Sequence, residues 1–398
     1  MSRRTARPLV ITAAIVATLA APARQAVAAV HAISFVSLAS LDLAFRFASA
    51  IQSDPKDQAK AQEAVIRDLL LLGEEEEART RTEQVQGWRK GVLYAEIAER
   101  EAEKGNPVAA RDLLEKAESV RSETPGWESL RIRAEIAQAL AELGEVKASQ
   151  GVTQDLSAAD SRQYAGRSAA TLAKAEAVHG SFDQAMEALH SLDDETDVEI
   201  AKGRTQGYLD LARTPRLTPA QRLGALKAAE RSVANLPPWE RVTAMREMAQ
   251  IHQEAGRAQE ARRLLGEAEE LLASDSKGSS GLLPLAADVA RSWGGIGEKT
   301  RGRTLLRKWE GAAAGAMDID RPGAYARLAS ASRALAEPKQ ADRLMSLAVS
   351  SAESLRNARP RALAAVDICR SMGRDGADPG PEMRQRLEAL LRNLKDPW

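Results

Sequence analysis

The sequence predicts an all-α fold, a right-handed solenoid of about eight antiparallel helical hairpins, and three observations carry that prediction. First, an aliphatic residue followed by a small one recurs eight times: Ile97-Ala98, Ile136-Ala137, Leu172-Ala173, Leu211-Ala212, Met248-Ala249, Val289-Ala290, Leu328-Ala329 and Ile368-Cys369. Successive small residues lie 36 to 41 positions apart, the signature of a repeat built from one supersecondary unit. Second, seven residues after the small one stands Gly105, Gly144, Gly180, Gly256, Gly297 or Gly376, with Pro219 and Ala336 in the two remaining units. Third, no segment alternates apolar and polar β-branched residues, so no sheet is expected.

Composition agrees. Apolar residues make up 44% of the 398 but aromatics only 4%, so the interior must be built mainly of alanine and leucine, which suits closely packed helices. Lys+Arg and Asp+Glu both number 56, and this balance, with the export signal described below, argues against nucleic acid as a partner. The one cysteine, Cys369, excludes an internal disulfide framework and a multi-cysteine zinc site. The four histidines are scattered without metal-ligand spacing, and no phosphate-binding loop, dinucleotide fingerprint or nucleophile elbow appears. The expectation is a protein without enzyme activity, metal or cofactor.

Taken in order, residues 1–28 read as a secretory signal: Arg3, Arg4 and Arg7, an uncharged apolar run from Leu9 to Ala21, and the small-x-small site Ala26-Val27-Ala28. This implies a periplasmic or secreted location, and an arginine- and alanine-rich composition suggests a bacterial source. A second apolar run, Ala32 to Ile51, is interrupted by Asp42 and Arg46, which would be costly inside a bilayer. It is expected to be a buried helix, and the only segment through which membrane contact could arise. Residues 29–86 otherwise hold an irregular capping hairpin, in which Glu74 to Glu77 is expected to form a solvated acidic helix start.

The regular array begins at Trp88. In its first unit Tyr94, Ile97, Ala98 and Ala102 share one helical face, Gly105-Asn106-Pro107 makes the hinge, and Ala110, Leu113, Leu114 and Ala117 form the apolar face of the second helix. Ten residues before the small position, Trp88, Trp127 and Trp239 mark unit boundaries. Thr218-Pro219-Ala220-Gln221 has the pattern of a capping box with proline at the first helical position. Ser274 to Gly281 is the most linker-like stretch and divides the array into 87–273 and 282–398. The charged helix Glu382 to Lys395 is expected to cap the end.

The units resemble tetratricopeptide-type repeats. Met248-Ala249, Gly256, Ala261, Leu265 and Ala268 show the pattern best, with His252 where an aromatic is common, whereas Gly302 and Trp309 stand where alanines are expected. The spacing averages about 38.7 residues from Ala98 to Cys369, against roughly 34 in that family.

The resemblance implies partner binding along the concave wall made by the first helices. The residue after each packed small one should face that wall: Glu99, Gln138, Lys174, Arg213, Gln250, Arg291, Ser330 and Arg370, with Arg246 and Arg333 one turn away. The candidate binding residues are therefore Lys174, Arg213, Arg246, Gln250, Arg291, Arg333 and Arg370, and their excess of positive charge suggests an acidic protein or peptide partner. The expected function is an exported scaffold for protein or peptide partners. A structural subunit of a cell-envelope or secretion assembly is the alternative.

Overall fold

The chain folds into hairpins wherever a left-handed residue lets one helix stop and an antiparallel one start. The structure, a computed structural model, describes residues 37–52, 54–158, 170–171, 173, 176, 181–192, 197–214, 216–274, 282–377 and 379–394. The expected signal, Lys174 and the 275–281 linker lie outside these. Among the described residues there are helices and no strands.

An N-terminal helix α1 (37–49) precedes the irregular hairpin α2 (Pro55–Leu71) and α3 (Glu75–Thr82). Two regular hairpins follow: α4 (Trp88–Glu103) with α5 (Pro107–Glu123), and α6 (Trp127–Glu142) with α7 (Val146–Ala158). After the helical positions 170, 171, 173 and 176 come α8 (Phe182–His190), α9 (Val198–Arg213) and α10 (Pro219–Val233). The array continues with α11 (Pro238–Glu254), α12 (Ala258–Ser274), α13 (Leu283–Gly295) and α14 (Lys299–Ala314). It ends with α15 (Arg321–Ala334), α16 (Pro338–Glu353), α17 (Ala358–Arg374) and α18 (Gly380–Arg392).

All eight small residues of the repeat, Ala98 through Cys369, are no more than 1% exposed. Twelve positions further on, in the second helix, stands another small residue: Ala110, Ser149, Ala185, Ala261 and Ala341 are each 0% exposed. The two small residues mark where the helices of a hairpin cross, because a short interaxial distance demands small side chains at the contact. Ser149 shows the proximity directly, its Oγ donating to the carbonyl of Ala137 at 2.8 Å. At Gly302 a Cβ would lie 2.6 Å from the Ala290 carbonyl oxygen and 2.7 Å from Leu335, which explains why glycine replaces alanine there.

The hinges follow one rule. Gly105, Gly144, Gly256, Gly297 and Gly376 all have positive φ, and Gly73 repeats the device at the end of α2. Ala336, in the same place of its unit, is held at φ 61°, the one described non-glycine residue with positive φ. Pro219 instead opens α10, where the Thr218–Gln221 capping box forms as expected.

First helices pack side by side as well as on their own second helix: α4 on α6, α9 on α11, α11 on α13, α13 on α15 and α15 on α17. Second helices lie mostly apart from one another. The first helices therefore form the continuous inner layer and the second helices the outer one.

The two ends of the described chain meet. Helix α17 packs against α2, and Arg370 and Arg374 of α17 both reach Asp68 of α2, at 2.6 and 2.5 Å, with the Asp68 side chain fully buried. Arg359, at the start of α17, donates to Asp57 at 2.6 Å and lies 3.2 Å from Asp54. Helix α1 fills the corner. Leu41 and Phe47 are 0% exposed, and a Cβ on Gly373 would come within 2.7 Å of Leu41. Arg81 of α3 ties α1 from the other side, with Asp42 at 2.9 Å and the Phe45 ring 4.7 Å from its guanidinium carbon. The apolar run thus becomes a buried helix from residue 37 on, and no described helix is long and apolar enough to cross a membrane. The acidic block departs from expectation at one residue: Glu75 is buried and paired with Lys104, so that end of α3 is anchored rather than solvated.

Candidate binding surface on the inner wall

The inner wall is built from two rows of side chains on the first helices. One row is the residue after each small one. Gln138 donates to Glu99 across the α4–α6 contact at 3.0 Å, so this row does run along the wall. The other row lies three residues earlier, one turn back on the same face, and holds Glu96, Glu135, Asp210, Glu247, Asp288 and Asp367. These six carboxylates were visible in the sequence at a fixed place in the repeat. A count restricted to the first row misses them, and with them the charge of the wall.

Carboxylates of the second row and of neighbouring segments neutralise the first. Arg213 pairs with Glu247 of the next first helix at 2.8 Å, and Arg246 lies 3.9 Å from the same carboxylate. Gln250 donates to Glu254 on its own helix at 3.0 Å. Arg370 is drawn into the contact with Asp68, which leaves its side chain 16% exposed. Arg291 and Arg333 converge on Asp375, at 3.2 and 3.9 Å, and Ser330 donates to the same carboxylate at 2.7 Å. Burial pushes the Asp375 carboxyl above its ordinary range, against the opposing pull of Arg291, Ser330, Arg333 and Arg374. Each described arginine of the expected positive run faces a carboxylate.

The N-terminal side of the wall is more acidic. Glu99, Glu103 and Glu142 bring carboxylate oxygens within 4.8 Å of one another, the one such group among the described residues that could gather round a cation. Gln138 already binds Glu99, and Arg100 binds Glu103 at 2.8 Å. Nearby Glu135 is 3% exposed. Burial, reinforced by Glu96 and Glu99, pushes its carboxyl up to about 8, although Arg131 stands 3.4 Å away.

One stretch of the wall stays open. Between α13, α15 and α17 lies a hollow of about 430 Å³, with Pro284, Ile319, Ala324 and Leu363 among its apolar surface and Asp320, Arg327 and Asp367 as its charged groups. Arg327 holds the second-row place of its unit, where six others are acidic, and no ion pair ties it down among the described residues. A small apolar hollow beside one uncommitted guanidinium suits a side chain and an acidic or carbonyl group of a polypeptide.

Neither Cys369 nor His252 offers chemistry to this wall. Cys369 is 0% exposed and burial raises its thiol, so it is a small buried hydrophobe, as its slot in the repeat suggested. His252 is 4% exposed, and burial lowers its imidazole.

No protein-family model and no curated protein matches the chain. Among solved structures, Ton1535 from Thermococcus onnurineus NA1 is similar over 79% of this chain and 92% of that one, at 14% identity and a TM-score of 0.29. That likeness is too loose to bear on fold or function.

Proposed function

We propose that this is an exported, non-enzymatic scaffold that binds a protein or peptide segment along the concave face of a tetratricopeptide-like array. The observation that carries the reading is the open hollow around Arg327. It sets apolar surface and a free guanidinium in a wall where Arg213, Arg246, Arg291, Arg333 and Arg370 are paired, at the repeat position where such arrays present contact residues. The signal-like residues 1–28 support export to the periplasm or beyond. The alternation of charge elsewhere favours a segment that carries both signs or reads mainly through its backbone. Only the part seated at Arg327 needs to be acidic.

Affinity capture from an envelope extract, using the chain from residue 29 onward, tests this. Wild type should enrich a defined set of proteins that Arg327→Glu combined with Leu363→Asp loses, while both baits melt at similar temperatures. The same proteins retained by both would reject the wall as the binding face.

A further inference from the structure

The edge formed by the N-terminal ends of α2, α4 and α6 carries a second candidate that shares no residue with the inner-wall hollow. The chain has only six tryptophans, four tyrosines and four phenylalanines, yet it leaves Trp127 56% and Trp239 53% exposed at the same place in their repeats. A tryptophan so placed forgoes much of the stabilisation its burial would give. Packing accounts for Trp88, which is half-buried and meets the Trp127 ring edge to face at 5.3 Å, joining two units. It does not account for the outward surface of Trp127.

Beside this pair lies a hollow of about 550 Å³, walled by Lys56, Gln86, Arg89, Glu123 and Glu128. Its charge balances, two cations against two carboxylates. Arg89 is engaged by Glu63 and lies over the Trp88 ring at 4.4 Å, whereas the side chains of Gln86, Glu123 and Glu128 make no hydrogen bond among the described residues. The hollow thus combines an aromatic face, zero net charge, and uncommitted donors and acceptors together. A strongly charged ligand of either sign would meet like charge here. A proline-rich segment would suit the rings but has few N–H groups to give the carboxylates.

A pyranose fits all three features. Its ring C–H groups carry slightly positive hydrogens that meet the negative π face of an indole, and its hydroxyls both donate to carboxylates and accept from amide and ammonium groups. We propose that the hollow at Trp127 binds a neutral oligosaccharide, with Trp127 as the stacking platform and Glu123, Glu128 and Gln86 as its hydrogen-bonding groups.

The test is calorimetric and fluorescence titration of the full chain with three neutral hexamers: α-1,4-linked glucose, β-1,4-linked glucose and β-1,4-linked N-acetylglucosamine. At least one should bind saturably and shift the tryptophan emission. Trp127→Ala should weaken that binding by about tenfold or more, the loss expected for one stacked ring and its contacts. Trp239→Ala should leave it unchanged. Should Trp127→Ala fail to fold, the surface double variant Glu123→Gln with Glu128→Gln replaces it and should weaken binding several-fold. No binding of any hexamer at millimolar concentration overturns the proposal, as does affinity unchanged in the variants. A Trp127-dependent dimer in light scattering overturns it too, since a second copy would then cover the hollow.

Discussion

Helix α2 is held on its two sides by different chemistry. Toward α4 the contact is a lattice of alternating charge. Arg67 binds Glu63 at 2.8 Å and Glu96 at 2.9 Å, Arg89 also reaches Glu63, and Arg131 with Glu135 extend the pattern into α6. Toward α17 a single fully buried carboxylate, Asp68, takes two arginines from a helix three hundred residues away, beside a glycine that admits Leu41. In the lattice the central charges, Arg67 and Glu63, each have two partners. At the junction of the chain ends Asp68 is the carboxylate both arginines share, and Arg370 has Asp367 besides, at 3.4 Å.

The largest expected effect follows from that difference. Asp68→Ala leaves Arg370 with Asp367 and strips Arg374 of its counter-ion, a loss of about 2 to 4 kcal/mol, below that of a fully buried pair because Arg374 is 37% exposed and Arg370 keeps a partner. Thermal melting should drop accordingly, and hydrogen exchange should rise first in residues 37–51 and 358–374. Glu63→Ala should cost less, because Arg67 keeps Glu96. Equal losses for the two variants would erase the distinction between the two sides of α2.

The lattice has its own weak point, and pH exposes it. Glu135 has a carboxyl raised to about 8 in the fold, chiefly by burial, against an ordinary value near 4.5. The folded state holds that proton more tightly than the unfolded chain does. Its contribution is therefore fully present below about pH 4.5 and is lost as pH rises through about 8. Glu135→Gln, which keeps the shape without the charge, should leave the melting temperature near pH 4.5 almost unchanged. At pH 8 it should raise stability, by on the order of 1 to 3 kcal/mol after discounting for relaxation around Arg131. A gain that is the same at both pH values would show that Glu135 does not titrate in this window.

These contrasts also mark what the sequence could reveal. The row from Ala98 to Cys369 and the hinge glycines were legible because every unit poses the same packing problem, and eight solutions printed at one spacing stand out from chance. The acidic second row was equally regular, yet its meaning depends on which helix Glu247 leans toward, and that is geometry between units rather than pattern within one. Asp68, Arg370 and Gly373 each act once, far apart in sequence, so no period announces the meeting of the ends. For the same reason Arg370 looked like a groove residue: it keeps the repeat position of the others but meets a partner that the repeat does not contain. The hollow at Arg327 was hidden differently, since it arises from the absence of an acid where neighbours have one.

The smallest effect isolates the hinge itself. Ala336 does in its unit what glycine does in the others, at φ 61°, where a Cβ crowds the following carbonyl and costs roughly 1 kcal/mol. Ala336→Gly relieves that strain but gives the unfolded chain more freedom to lose, so the net gain should be about 0.5 kcal/mol, or roughly one degree or less in melting temperature for a chain this long. The reverse change at Gly256, which has φ 72° and open space around the would-be Cβ, should cost about 1 kcal/mol by strain alone. The pair brackets the energy of one left-handed residue in the same structural slot, with opposite signs required. If Gly256→Ala were neutral, the conserved geometry of the hinges would not depend on glycine, and Ala336 would be an ordinary member of the row rather than its strained exception.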